Sequence, residues 1–193
     1  MKSIYILFLF VGFSSFVMEK DFAEKLSDAA ISITKDKVTY DPKYVSIPYP
    51  NGDVPKNTGV CTDVVIRSYR KLGIDLQKEV HEDMKKNFSL YPKTWGLRST
   101  DTNIDHRRVP NLQVFFLRKG KSLEISDKAS DYKTGDLVTW MINDKLPHIG
   151  IVTNKKSADG KRNLIVHNVG GGQVLEDCLF QYKITGRYRY QKP

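Results

Sequence analysis

Cysteine is nearly absent: the sequence holds two, Cys61 and Cys178. That excludes a disulfide-dense secreted scaffold, although one Cys61–Cys178 bridge stays open. Histidine is also scarce, four in all, and no two candidate ligands stand at the close spacing of a zinc module. There is no Lys/Arg run of the kind that grips nucleic acid; basic residues are scattered among acidic ones. Internal repeats, low-complexity tracts and linkers are missing too, which leaves one domain with enough chain for a core.

The apolar stretch at the N-terminus is too short for an ordinary membrane-spanning helix. Lys2 precedes an apolar run from Ile4 to Phe13 interrupted only by Gly12, and the small residues Gly12, Ser14 and Ser15 precede a polar stretch that opens at Glu19. This is the layout of an export signal over residues 1–18, though no A-x-A-like triplet marks the cut and an uncleaved anchor stays open. The expectation is a periplasmic or secreted domain over residues 19–193, with no stable membrane span after signal cleavage. The formal charge of +9 and pI near 9.4 suit an anionic partner such as a cell-wall polymer, or simply a solvated basic surface.

Residues 21–34 predict an amphipathic helix with Phe22, Leu26, Ala29, Ala30 and Ile33 on one face. A Tyr/Pro-rich extended segment follows, from Thr39 to Pro55. Gly59 and Cys61 open a second helix that runs to about Leu72, with Val64, Val65 and Ser68 at helical spacing and Gly73 at its end. Asp75 caps a third, with the stripe Leu76, Val80, Met84, Phe88, stopped by Pro92. Residues 98–108 read as a charged loop, and Pro110 starts a short helix that ends near Gly120. From residue 131 the texture becomes β: 137–141, 148–153, 163–169, 173–175 and 184–190. Helices first and an antiparallel meander after predict an α+β fold, with N-terminal helices packed on an antiparallel β-sheet.

Three residues carry nucleophilic chemistry. Cys61 sits at a helix start, where free N–H groups and the helix dipole favour thiolate. His148 opens one strand and His167 closes the next; paired as a hairpin, those two ends adjoin. Cysteine, base and orienting group then form a triad, with His148 as base, His167 holding its tautomer, and the Cys61 N–H stabilising an oxyanion. The same three side chains also have the types of a zinc site. Cys178, in Glu-Asp-Cys-Leu-Phe, reads as buried and inert, and His81 as a solvated surface residue.

The strand motifs GDLVTW, HIGIV and LIVHNVGGG resemble the core strands of the NlpC-type cell-wall cysteine peptidase superfamily. That resemblance implies a papain-like fold and places nucleophile, base and orienting residue on Cys61, His148 and His167. Further stretches are similar to a bacterial family filed as domain of unknown function 1287: GVCTDVVIRSYRKLGIDLQ, VHEDM, Tyr91-Pro92, NIDHRRVPNL, HNVGGG with Glu176-Asp177, and ITGRYRY. Val60 stands where the superfamily has Asp, and Thr62-Asp63 where it has Ser-Gly, so the substrate subsites differ. Arg107 and Arg108 are expected to grip carboxylates of an acidic stem peptide, with Asp105 or Asp63 fixing an amine and His106 in the same loop.

The expectation is an exported cysteine amidohydrolase acting on peptidoglycan or its peptide fragments through a thioester, with no metal or other cofactor and no nucleic acid partner. An acyltransferase or thioesterase on the same core, or a non-catalytic wall-binding domain, are the alternatives.

Overall fold

The computed structural model describes residues 20–192; the expected leader lies outside the described residues. The first helix, α1 (Phe22–Ile33), is capped by the Asp21 carboxylate, which accepts the Glu24 N–H, and buries Leu26, Ala29, Ala30 and Ile33. Two short strands, β1 (Thr39–Tyr40) and β2 (Thr58–Gly59), pair in parallel across the Pro-rich segment. This small pairing was not expected from the sequence. It fixes the approach to α2 (Cys61–Lys71), whose residues Val64, Val65 and Tyr69 are fully enclosed.

Asp75 caps α3 (Leu76–Lys86) by accepting the Lys78 N–H. This helix stops earlier than the apolar stripe predicts, and Phe88 falls in a separate 3-10 turn. Within the charged loop, 105–107 form another 3-10 turn, and α4 (Val109–Lys119) follows with Pro110 in its first turn.

The sheet consists of β3 (Lys121–Ser122), β4 (Leu137–Ile142), β5 (Leu146–Lys156), β6 (Asn163–His167), β7 (Val174–Glu176) and β8 (Lys183–Arg189). Its spatial order is β3-β8-β4-β5-β6-β7, antiparallel throughout. Strands β4 to β7 form the expected meander. The last strand departs from it, returning to lie between β3 and β4. Buried Asp136 fixes that return by accepting from both Arg187 and Arg189.

Strand alternation sorts the core into two layers. Leu137, Ile149, Ile151 and Val166 pack against α1, α2 and α4. Val138, Trp140, Val152 and Ile165 face the other way, joined by Tyr132, Cys178 and Leu179. Each large apolar side chain so enclosed contributes roughly 1.5–3 kcal/mol. Helices on one face of an antiparallel sheet make the fold α+β. No helix among the described residues is long and apolar enough to cross a membrane.

Candidate functional site

Cys61 is the first residue of α2, and the start of that helix is braced from three directions. The Asp63 carboxylate accepts the Val60 N–H at 2.7 Å, satisfying a donor the helix itself cannot. Arg107 clamps the same carboxylate with two bonds of 2.9 Å, Nε to Oδ1 and Nη2 to Oδ2. Thr62 donates its hydroxyl to the Arg107 carbonyl at 3.1 Å, and Asn168 donates to the Gly59 carbonyl at 3.2 Å. The nucleophile candidate therefore rests on residues from the charged loop and from the end of β6.

The last register positions of β5 with β6 are Ile151 with Val166 and Val152 with Ile165. Continued one step, that register sets Gly150 opposite His167, where β6 ends. Ile149 lies beyond that pairing, and its N–H faces the Cys61 sulfur. The N–H groups of Thr62 and Cys61 also face the sulfur. These donors pull the thiol pKa down, as a helix start should, but burial outweighs them and pushes it up to about 12, with Asp63 adding to the rise. The resting group is a thiol, not the thiolate expected from the helix start alone.

His148 and His167 are both buried and meet at 2.9 Å, His148 Nε2 to His167 Nδ1. Both lie on the sheet face that carries Val152 and Ile165, and Trp140 lies beside the His148 ring at 5.7 Å between centroids. Gly150 makes the meeting possible. A Cβ there would stand 3.2 Å from the His167 Cβ and 2.7 Å from Ile165 Cγ2. Burial pushes the His148 pKa down to about 3, with His167 adding to the fall. His167 is also lowered by burial, against the opposing pull of Glu176.

Glu176, met in the sequence only as part of a family motif, was assigned no role there. Its Oε2 lies 2.8 Å from His167 Nε2. A carboxylate only accepts, so His167 carries its proton on Nε2 and accepts at Nδ1. His148 then donates from Nε2, leaving its Nδ1 free of a proton and, among the described residues, of a partner. The chain Glu176–His167–His148 thus selects the tautomer that can act as a base. No hydrogen bond joins Cys61 to His148 among the described residues. The thiol sits past the end of β6, one residue along from His148.

A groove of about 280 Å³ opens over Cys61, lined by Tyr40, Trp95, Arg107, Arg108, Leu146 and Pro147 among others. Arg108 lies over the Trp95 ring at 4.3 Å and stands 3.6 Å from Asp105. Its Nη1 is buried without a hydrogen-bond partner, as is the Asp105 Oδ1. The other loop residues are placed differently. Arg107 and Asp63 spend their charges on each other, with side chains 2% and 3% exposed. Asp105 accepts the Asp101 N–H, and burial raises its pKa to about 6. His106 is buried outside the groove lining and is lowered to about 3 by burial and by Arg107.

A separate cavity of about 700 Å³ is basic, lined by Lys35, Lys37, Lys56, Arg67, Arg70 and Lys71 with two aspartates, and does not include Cys61. Both cysteines are free. Cys178 is buried as expected but has chemical neighbours, its sulfur lying 3.5 Å from His167 Nε2. Cys61, His148 and His167 do not form a set of converging metal donors among the described residues. His81 is half-buried against Tyr49 rather than solvated.

Comparison with known proteins places the chain. The "Uncharacterized protein YijF" of Escherichia coli (strain K12) is 48% identical over 165 residues, 86% of this chain and 80% of that protein. Among solved structures, NlpC2 from Trichomonas vaginalis is similar over 91% of this chain at 15% identity and a TM-score of 0.44. This chain spans about half the length of that protein, 49%. The family model described as domain of unknown function (DUF1287) matches residues 27–190, and the chain belongs to that family.

Proposed function

We propose that this protein is an exported cysteine amidohydrolase that cleaves an amide bond in peptidoglycan stem peptides, on a papain-like core. The observation that carries the reading is Cys61, at a helix start, with its sulfur against three backbone N–H groups in a groove. A buried histidine pair of fixed tautomer begins one residue from the nearest of those donors.

With thiol and imidazole both neutral at rest, the proton moves as the bond forms. Cys61 Sγ attacks the amide carbon and His148 Nδ1 takes the thiol proton, the two groups closing to hydrogen-bond distance once substrate fills the groove. The oxyanion is met by helix-start N–H groups, that of Cys61 foremost. His148 then protonates the departing amine, leaving a thioester on Cys61. Water attacks the thioester through the same base, releasing the acid and restoring the thiol. His167 holds the His148 ring and shares the positive charge that forms there, with Glu176 behind it.

The proposed contact for a substrate carboxylate is Arg108, whose guanidinium lies over Trp95 in the groove lining, while its Nη1 faces Asp105 at 3.6 Å. Arg107 supports the nucleophile's helix instead. The net charge of +9 favours approach to an anionic wall. Mass spectrometry of muropeptides and sacculi after incubation with the protein, beside Cys61→Ala, tests the reading. A product that gains one water and vanishes in the variant is the expected result. No product from any wall fragment, with Cys61 reduced and open to alkylation, would overturn the substrate assignment.

A further inference from the structure

Behind the histidine pair, on the side away from His148, a second set of donors converges. His167 Nε2, a Glu176 carboxylate oxygen and Cys178 Sγ all lie within 4.8 Å of one another. We propose that these three side chains form a binding site for a zinc-class divalent ion, and that its occupancy switches off the base of the neighbouring thiol site. The site stands on its own geometry; the switch rests on the function proposed above.

The donor set is imidazole, carboxylate and thiol, the mixture that zinc-type ions select over calcium or magnesium. The spacing fits as well. With Zn–N near 2.0–2.1 Å and Zn–S near 2.3 Å, tetrahedral ligands N and S stand about 3.5 Å apart. His167 Nε2 and Cys178 Sγ are already 3.5 Å apart. Glu176 Oε2, now at hydrogen-bond distance of 2.8 Å from Nε2, must swing out by about half an ångström to reach its ligand position. It is free to do so, because its side chain is 50% exposed. The same exposure gives the ion an entry path and leaves a fourth position for water.

A ligating histidine usually gives its other ring N–H to an acceptor that fixes the ring. Here that acceptor is present: His148 Nε2 lies 2.9 Å from His167 Nδ1. The ligands also lie on connected elements, His167 ending β6, Glu176 ending β7, and Cys178 two residues on. The strands pair from Ile165–Glu176 to His167–Val174, so two of the three ligands are set by one ladder.

The switch follows from where the protons go. Without the ion, His167 gives its Nε2 proton to Glu176 and accepts the His148 proton at Nδ1. An ion on Nε2 forces the His167 proton onto Nδ1, so His148 must accept at Nε2 and carry its own proton on Nδ1. Neutral His148 then has no lone pair to offer Cys61. The proton count of the two rings is unchanged; the one proton released to water is that of the Cys178 thiol, replaced by the metal–sulfur bond.

The test uses cobalt(II) as a spectroscopic stand-in, titrated into the reduced full chain carrying Cys61→Ala, so that Cys178 is the sole thiol. The expected result is one equivalent of cobalt with a thiolate charge-transfer band and tetrahedral d–d intensity. The band should disappear in the background of Cys178→Ser. In Glu176→Gln affinity should fall at least tenfold. No band with a reduced thiol, or a band that survives Cys178→Ser, would overturn the site. For the switch, zinc(II) should slow iodoacetamide labelling of Cys61 at least tenfold in the otherwise native chain, reversibly with chelator, and not in Glu176→Gln. Stoichiometric cobalt binding with unchanged Cys61 labelling would overturn the switch and keep the site. Neither readout needs a wall substrate, so failure here is separable from failure of the proposed reaction.

Discussion

Replacing Arg107 with Met separates two roles for the charged loop. Arg107 lines the groove, yet its guanidinium is fixed on Asp63 by two 2.9 Å bonds with both side chains almost fully enclosed. Met keeps most of the stem and removes the charge, leaving the Asp63 carboxylate buried with the Val60 N–H as its remaining close donor. An unpaired buried charge of this kind costs about 3–5 kcal/mol. For a chain of this size that corresponds to a fall in Tm of about 6–20 °C. Urea and thermal unfolding followed by tryptophan fluorescence measure it directly. Asp63→Asn with Arg107→Met removes both charges, and the pair should cost less than the sum of the singles by about 2–3 kcal/mol. A loss under about 1 kcal/mol for Arg107→Met, with raised KM on any substrate, would refute the structural role and return Arg107 to substrate binding.

Acid should destabilise the fold before carboxylate pairs are lost. His148 and His106 are both lowered from 6.5 to about 3, so their contribution is present above pH 6.5 and is lost as pH falls. Asp105, raised to about 6, gains stability on acidification and offsets part of it. Between pH 7 and 5 the balance is a loss of about 2–3 kcal/mol, measurable as a falling urea midpoint; a flat profile would contradict neutral buried imidazoles. Gly150→Ala should destabilise by about 1–3 kcal/mol, because its methyl meets Ile165 at 2.7 Å and the Val166 carbonyl at 3.0 Å. It should also part the histidine pair, read as altered ring-nitrogen shifts by NMR; unaltered shifts would refute the close-approach argument. Arg108→Gln should raise KM about tenfold for a carboxylate-bearing substrate, a charge-assisted bond being worth about 1.5–3 kcal/mol, with little change in kcat. A fall in kcat alone would move Arg108 out of the binding role.

The elements legible in the sequence are those whose cause is local. Asp21 and Asp75 cap the helices they precede, and the apolar periodicity of α1, α2 and α4 marks their buried faces. The alternation along β4 and β5 follows from one strand at a time. The hairpin reading set His148 near His167 because opposite strand ends must adjoin. What was not legible depends on distant parts of the chain. Asp63 and Arg107 are 44 positions apart, and nothing in either segment announces the other. An acidic residue at the third helical position is a capping signal that pointed to a structural use of Asp63. Glu176 reaches His167 only through the β6–β7 register, which the glycines at 170–172 leave undetermined. The Cys61 thiol pKa was misread for a related reason: the dipole is a property of the helix, whereas desolvation comes from everything packed around it.

The insertion of β8 has a consequence for when this protein comes into being. A ribosome delivers Lys183–Arg189 more than forty residues after β4, whose Leu137 pairs with Tyr188 and Val138 with Arg187. Until that late strand arrives, β4 is a bare edge carrying Val138 and Trp140, and Asp136 waits without its arginines. The sheet that carries both histidines is therefore sealed from its far end, by the closing segment of the fold. Contacts of such long sequence separation make folding slow. The β4–β8 pairing therefore sets when this side of the sheet can close, a timing written into strand order rather than into any catalytic group.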